Sequence, residues 1–220
     1  MSIYSVGHST RSLDELVGLL REHGISVLAD VRTAPGSRRL PEFGRASLTA
    51  ALPSRGLVYV HLPELGGFRR PRPDSRNTAW RNESFRGYAD YMESPEFRAG
   101  LERLLGLREV SGDPDGPHPA LPHEPGVPAR SVDLVGWEGG GNEVADGPHR
   151  STSRVAMMCA EAVPWRCHRS LIADSLLVRG VTVQHILGAG RLQPHTLTPF
   201  ARVDGVDTFY PGLDTLRFNG

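Results

Sequence analysis

Gly24-Ile25-Ser26-Val27-Leu28-Ala29-Asp30-Val31-Arg32 decides the fold. From Ile25 to Val31 only Ser26 and Asp30 interrupt the apolar run, and Gly24 opens it. A stretch this short and evenly apolar reads as a strand buried on both faces, the condition of a parallel sheet clad by helices. Ahead of it, Ile3-Tyr4-Ser5-Val6 reads as a strand ending at Gly7. Between the two, Ser12 and Glu15 have the spacing of a capping box, and Leu13, Leu16, Leu19 and Leu20 form a helical stripe that stops at Gly24. Beyond it, residues 46–55 read as a helix and 57–60 as a strand. Residues 84–92 and 94–107 read as helices, 154–159 as a strand, 167–179 as a helix closed by Gly180, and 181–187 as a strand. Strands separated by helices predict an α/β domain: one mostly parallel five-stranded sheet with helices on both faces, a Rossmann-like three-layer arrangement.

Residues 109–153 break this rhythm. Seven prolines and eight glycines fall there without periodicity, which reads as a disordered or loosely held insertion into a surface loop. The predicted organisation is one domain over 1–187, interrupted at 109–153, with 188–220 as an irregular tail folded back over it. The insertion also distorts the charge balance. It carries eight acids against Arg130 and Arg150, so the overall net charge of zero hides a basic remainder. Eleven of the 25 basic residues, all arginine, crowd residues 32–86, where they face four acids. Guanidinium forks match phosphate and carboxylate oxygens. A composition bias toward arginine explains the missing lysine, but not this crowding.

Other classes are excluded. Apolar residues at 39% and charged ones at 23% suffice for a core, which rules out wholesale disorder. No apolar run reaches membrane-spanning length, so no membrane partner is expected. The first residues lack a basic region followed by an apolar stretch, and two cysteines cannot staple a secreted scaffold of this length. A reducing, cytoplasmic setting is expected.

Sites in such a sheet gather at the carboxyl ends of the strands. After the first strand come His8, Ser9 and Arg11; after the second, Asp30, Arg32, Ser37, Arg38 and Arg39. The third delivers Glu64 beyond His61, and the fourth ends in Cys159-Ala160-Glu161 before Trp165 and Cys167-His168-Arg169. Each residue has a plainer reading. Asp30 could cap its loop, His8 could be a satisfied histidine at a helix entrance, and Cys159 could be core. Glu161 could be salt-bridged by Arg166 or Arg169, and the arginine clusters could be solvated. Cys167 differs in sitting in a predicted first helical turn beside His168 and Arg169, a setting that favours a thiolate. A phosphatase-like anion cradle is disfavoured, because the loop after Cys159 lacks glycine and contains Glu161. Cys159, Cys167, His168 and His8 could supply four zinc ligands, but their spacing is not diagnostic; neither metal nor cofactor is expected.

Taken together, Ile3-Tyr4-x-x-Gly7-His8-Ser9, Asp30-Val31-Arg32, Pro35-Gly36-Ser37-Arg38-Arg39 and Leu62-Pro63-Glu64-Leu65-Gly66-Gly67 resemble the domain-of-unknown-function 488 family. Residues 85–92 and the run from Met158-Cys159-Ala160-Glu161 to Cys167-His168-Arg169 extend the likeness. The resemblance implies an α/β domain and marks these motifs as the site, without supplying an activity.

The leading expectation is an enzyme acting on nucleic acid or a nucleotide, hydrolysing the N-glycosidic bond of a modified or damaged base. Asp30 or Glu161 would stabilise an oxocarbenium-like sugar, and His8 would orient water or protonate the leaving base. Cys167 and His168 complete the catalytic candidates. Ser9, Arg11, Arg32, Ser37, Arg38, Arg39, Glu64, Arg86 and Arg169 would hold substrate and phosphates, while Tyr88 or Trp165 would stack on an extruded base. The alternatives are a cysteine-dependent hydrolase or transferase on a small anionic substrate, and a non-catalytic anion-binding module. All require distant segments to meet in one pocket.

Overall fold

A computed structural model describes residues 2–36, 39–108 and 153–212. Six strands form the main sheet: β1 (Ser2–Gly7), β2 (Val27–Asp30), β3 (Val58–His61), β4 (Val155–Cys159), β5 (Thr182–Gly188) and β6 (Arg191–Pro194). Their order is β3-β2-β4-β1-β5-β6, with β6 alone antiparallel. The protein is thus α/β with a mixed, mostly parallel sheet of six strands, one more than the sequence pattern predicts. All four residues of β6 are exposed, so no apolar alternation marks it. It exists because a turn through Gly190, at φ 64°, folds the chain back along the free edge of β5. Pro194 is tolerated at such an edge.

Helices cover both faces. On one lie α1 (Leu13–Glu22) and α2 (Arg45–Ala51), packed through Leu16, Leu20 and Leu48 onto Val6, Leu28 and Met158. On the other lie α3 (Glu83–Tyr91), α4 (Pro95–Gly106) and α5 (Arg169–Val178), which bury Ile3, Ala29, Val31, Met157 and Cys159. The capping box at Ser12 and Glu15 forms with both reciprocal bonds, and Ser94 caps α4. The predicted 46–55 helix ends as α2 at Ala51, because Pro53 opens a separate 3-10 turn over Pro53–Arg55. Instead of an irregular tail, residues beyond Gly188 supply β6 and a hairpin of β7 (Arg202–Asp204) and β8 (Asp207–Phe209). Of the predicted insertion, only Ser153 lies within the described residues. Among the described residues, no helix is long and apolar enough to cross a membrane.

The helix predicted from Cys167 begins two residues later. Cys167 is extended, at φ −141° and ψ 149°, and no side chain caps α5 through its preceding residue His168. This offset decides the chemistry at the helix entrance.

Candidate functional site

Side chains alternate across a strand, so the polar residues at the carboxyl edge divide between the two faces. His8, Asp30 and Tyr59 share the parity of Val6 and Leu28 and fall on the α1–α2 side. Cys159 and Ser5 fall on the α3–α5 side, where Cys167, His168 and Arg169 join them from the start of α5.

The first cluster is centred on a buried ion pair. Arg32 donates from Nε to Asp30 Oδ1 at 2.8 Å and from Nη2 to Oδ2 at 2.6 Å. Tyr59 Oη donates to the same Oδ2 at 2.8 Å, and the Arg32 backbone N–H donates to Oδ1 at 3.1 Å. Arg32 also donates to the Phe43 carbonyl and to His8 Nε2, at 2.8 and 3.3 Å. His8 Nδ1–H donates to the Ser9 carbonyl at 3.0 Å, and its ring stacks on Phe43 with centroids 4.2 Å apart. Burial, helped by the Arg32 charge, lowers the His8 pKa to about 4. It stands as a neutral imidazole with both nitrogens occupied.

The second cluster is built around sulfur. Cys167 Sγ lies 3.5 Å from His168 Nδ1, and His168 Nε2–H donates to the Val31 carbonyl at 2.8 Å. That donation leaves Nδ1 facing sulfur, free to take a proton from it. Gly67 lines the same ring: a Cβ there would lie 3.0 Å from Nδ1. Burial alone would push the Cys167 thiol up, but the Cys159 S–H, the Arg169 charge, and the backbone and side-chain N–H groups of Arg169 bring it down to about 6. Donation to Cys167, together with burial, pushes the Cys159 thiol up to about 12. The two neighbouring thiols are thus shifted in opposite directions, Cys167 down and Cys159 up.

Arg169 completes this arrangement. It is 1% exposed, donates to Ser5 Oγ at 2.8 Å and to the Glu161 carbonyl at 2.5 Å, and keeps a buried Nε without a partner. Among the described residues no carboxylate pairs with it. A buried guanidinium needs a counter-charge, and the Cys167 thiolate is the nearby group able to supply one. Gly7 makes the geometry possible, since a Cβ there would stand 1.9 Å from the Glu161 carbonyl oxygen that Arg169 holds. Cys159 Sγ, Cys167 Sγ and His168 Nδ1 lie within 4.8 Å of one another, close enough to share a proton or touch one soft cation.

A family model described as "Domain of unknown function DUF488" matches residues 12–110 and 141–176, more than half of the chain. The chain belongs to the DUF488 family. No curated protein and no solved structure matches it.

In this DUF488 member the remaining candidates take varied places. Ser9 donates its backbone N–H to the Ala160 carbonyl at 2.9 Å, and Arg11 donates to the Gly7 and Leu187 carbonyls at 2.6 and 3.1 Å. Both tie the β1 loop down. Ser37 and Arg38 lie outside the described residues, and Arg39 is exposed beside them. Glu64 pairs with Arg103 of α4. Arg86 is half-buried, and its Nε has no partner. Tyr88 is buried, donates to the Leu65 carbonyl at 2.8 Å and supports the His168 ring from 5.0 Å, so its ring is not displayed for stacking. Glu161 exposes its carboxylate and contributes its carbonyl. Trp165 is 55% exposed at a shallow cavity of about 130 Å³ that also touches Ser170, His185 and His195. Ser5, Phe43 and Tyr59 help hold the two clusters in place and escaped the sequence reading, whereas Gly67 lay within a motif that it marked. The period-2 parity of the strands carried a signal for Ser5 and Tyr59.

Proposed function

We propose that this protein is a thiol-dependent hydrolase or transferase that uses Cys167 as nucleophile and His168 as its base. The observation that carries this reading is the 3.5 Å approach of Cys167 Sγ to a His168 Nδ1 whose other nitrogen is committed to the Val31 carbonyl. In the reaction, Sγ attacks an electrophilic carbon as the thiolate, its proton having passed to His168 Nδ1. The sulfur–carbon bond forms as the bond to the leaving group breaks, and the imidazolium returns the proton to that group. Water or a second acceptor then releases the product and restores the thiol. Cys159 is a positioning residue that donates to the thiolate. The arginine-rich segment, with Arg70 exposed and unpaired among the described residues, supports a small anionic substrate. A reducing compartment suits two free thiols.

The N-glycosidic reading asks for a carboxylate with a lone pair turned toward a sugar. Both oxygens of Asp30 are taken up by Arg32 and Tyr59, so the geometry favours the thiol. The test uses 4-nitrophenyl acetate and the 4-nitrophenyl monoester of succinate. We expect nitrophenolate release with an acyl adduct on Cys167, and loss of both in Cys167→Ser. Undiminished turnover in that variant would overturn the proposal.

A further inference from the structure

Phe68 is 93% exposed and has φ +61°, in the left-handed region that bulky side chains rarely occupy. Slack backbone does not account for this. Thr33 Oγ1–H donates to the Gly67 carbonyl at 2.8 Å, and a Cβ on Gly66 would lie 2.6 Å from Thr33 Oγ1. On the other side, the Arg69 guanidinium sits 3.8 Å from the centroid of Tyr91. The Arg69 carbonyl presses on Gly87, where a Cβ would approach it to 2.3 Å. The loop is braced at both ends and still holds a phenyl ring in water, in a strained conformation, with little packing in return.

The position of the ring gives the reason. Gly67 lies against His168 Nδ1, and consecutive Cα atoms are about 3.8 Å apart, which puts the Phe68 Cα within about 8.5 Å of that nitrogen. The Phe68 backbone is thus within a substrate's width of the thiolate–imidazole pair. We infer that Phe68 is a specificity-determining residue, and that the substrate carries a planar unsaturated ring which stacks on Phe68 while its electrophilic carbon faces Cys167. The inference rests on the thiol reading above. Stacking on one aromatic face tolerates many ring types, so it selects a class of substrate rather than a single compound.

Two alkylating probes test it: iodoacetamide and N-phenyliodoacetamide, with Cys167 modification followed by peptide mass and free cysteine as reference. The phenyl reagent is expected to be favoured several-fold over iodoacetamide, relative to the same ratio on free cysteine. That excess should vanish in Phe68→Ala and in Phe68→Gly, which also relieves the strained backbone, and persist in Phe68→Trp. An excess that is absent, or that survives loss of the ring, overturns the role of Phe68. Failure of iodoacetamide itself to modify Cys167 would instead overturn the thiol reading.

Discussion

The imidazole of His168 donates from Nε2 to the backbone carbonyl of Val31 at 2.8 Å, so the residue just beyond β2 orients the base that faces Cys167 at the start of α5. Sheet edge and helix entrance are joined by one hydrogen bond, and the chemistry of the second depends on the first. His168→Gln removes the proton acceptor. Carbamidomethylation of Cys167 at pH 7 should slow by at least about tenfold, with its pH midpoint moving upward. An unchanged midpoint would show that the imidazole does not act on the sulfur.

Arg169→Met keeps most of the buried volume and removes the charge. The apparent pKa of Cys167 should rise toward its ordinary value of 9. Chemical denaturation should also show a loss of about 1–3 kcal/mol, because Ser5 Oγ and the Glu161 carbonyl lose their donor. Stability lost without any shift of the thiol would confine Arg169 to a structural role.

Asp30→Asn separates the two clusters. It leaves Arg32 buried without its counter-charge and should cost about 3–5 kcal/mol of stability. In protein that remains folded, Cys167 should keep its alkylation midpoint, since Asp30 lies on the other face of the sheet. A large shift of that midpoint would mean that the clusters act as one site.

Gly7→Ala tests the close approach of β1 to the loop after β4. Its Cβ would overlap the Glu161 carbonyl, which holds Arg169, so the loop must move. A loss of about 1–3 kcal/mol or more is expected, together with an upward shift of the Cys167 midpoint. Wild-type behaviour in both measurements would contradict the geometry.

Acid should weaken the fold through buried histidines. Burial, with Arg32 nearby, lowers His8 from 6.5 to about 4; burial, with His195 nearby, lowers His185 to about 3. Both pKa values are depressed in the folded state, so the stability contribution is present above pH 6.5 and is lost as pH falls toward 4 and 3. Urea midpoints measured between pH 7 and pH 4 should fall, and less steeply in His8→Asn. A variant that keeps the full slope would contradict the assignment to His8.

Much of the architecture was legible in the sequence because local and global signals agree there. The run from Ile25 to Val31, the capping box at Ser12 and the stop at Gly24 each point to the same elements. β6 was not legible, since its residues face water on both sides and only the free edge of β5 calls it into being. Cys167-His168-Arg169 stood out as a unit, yet its meaning depended on the helix starting at Arg169, which sequence patterns place poorly because no side chain caps it at His168. The division of His8 and Asp30 from Cys159 lay in the alternation along the strands. Phe68 was invisible, because a strained and exposed ring has no periodic signature.

The most direct test of the account is the pH dependence of iodoacetamide modification of Cys167, followed by peptide mass in the intact protein. A midpoint near pH 6, with Cys159 left unmodified through neutral pH, is the expected result. A midpoint at or above the ordinary thiol value of 9, or faster modification of Cys159, would contradict it.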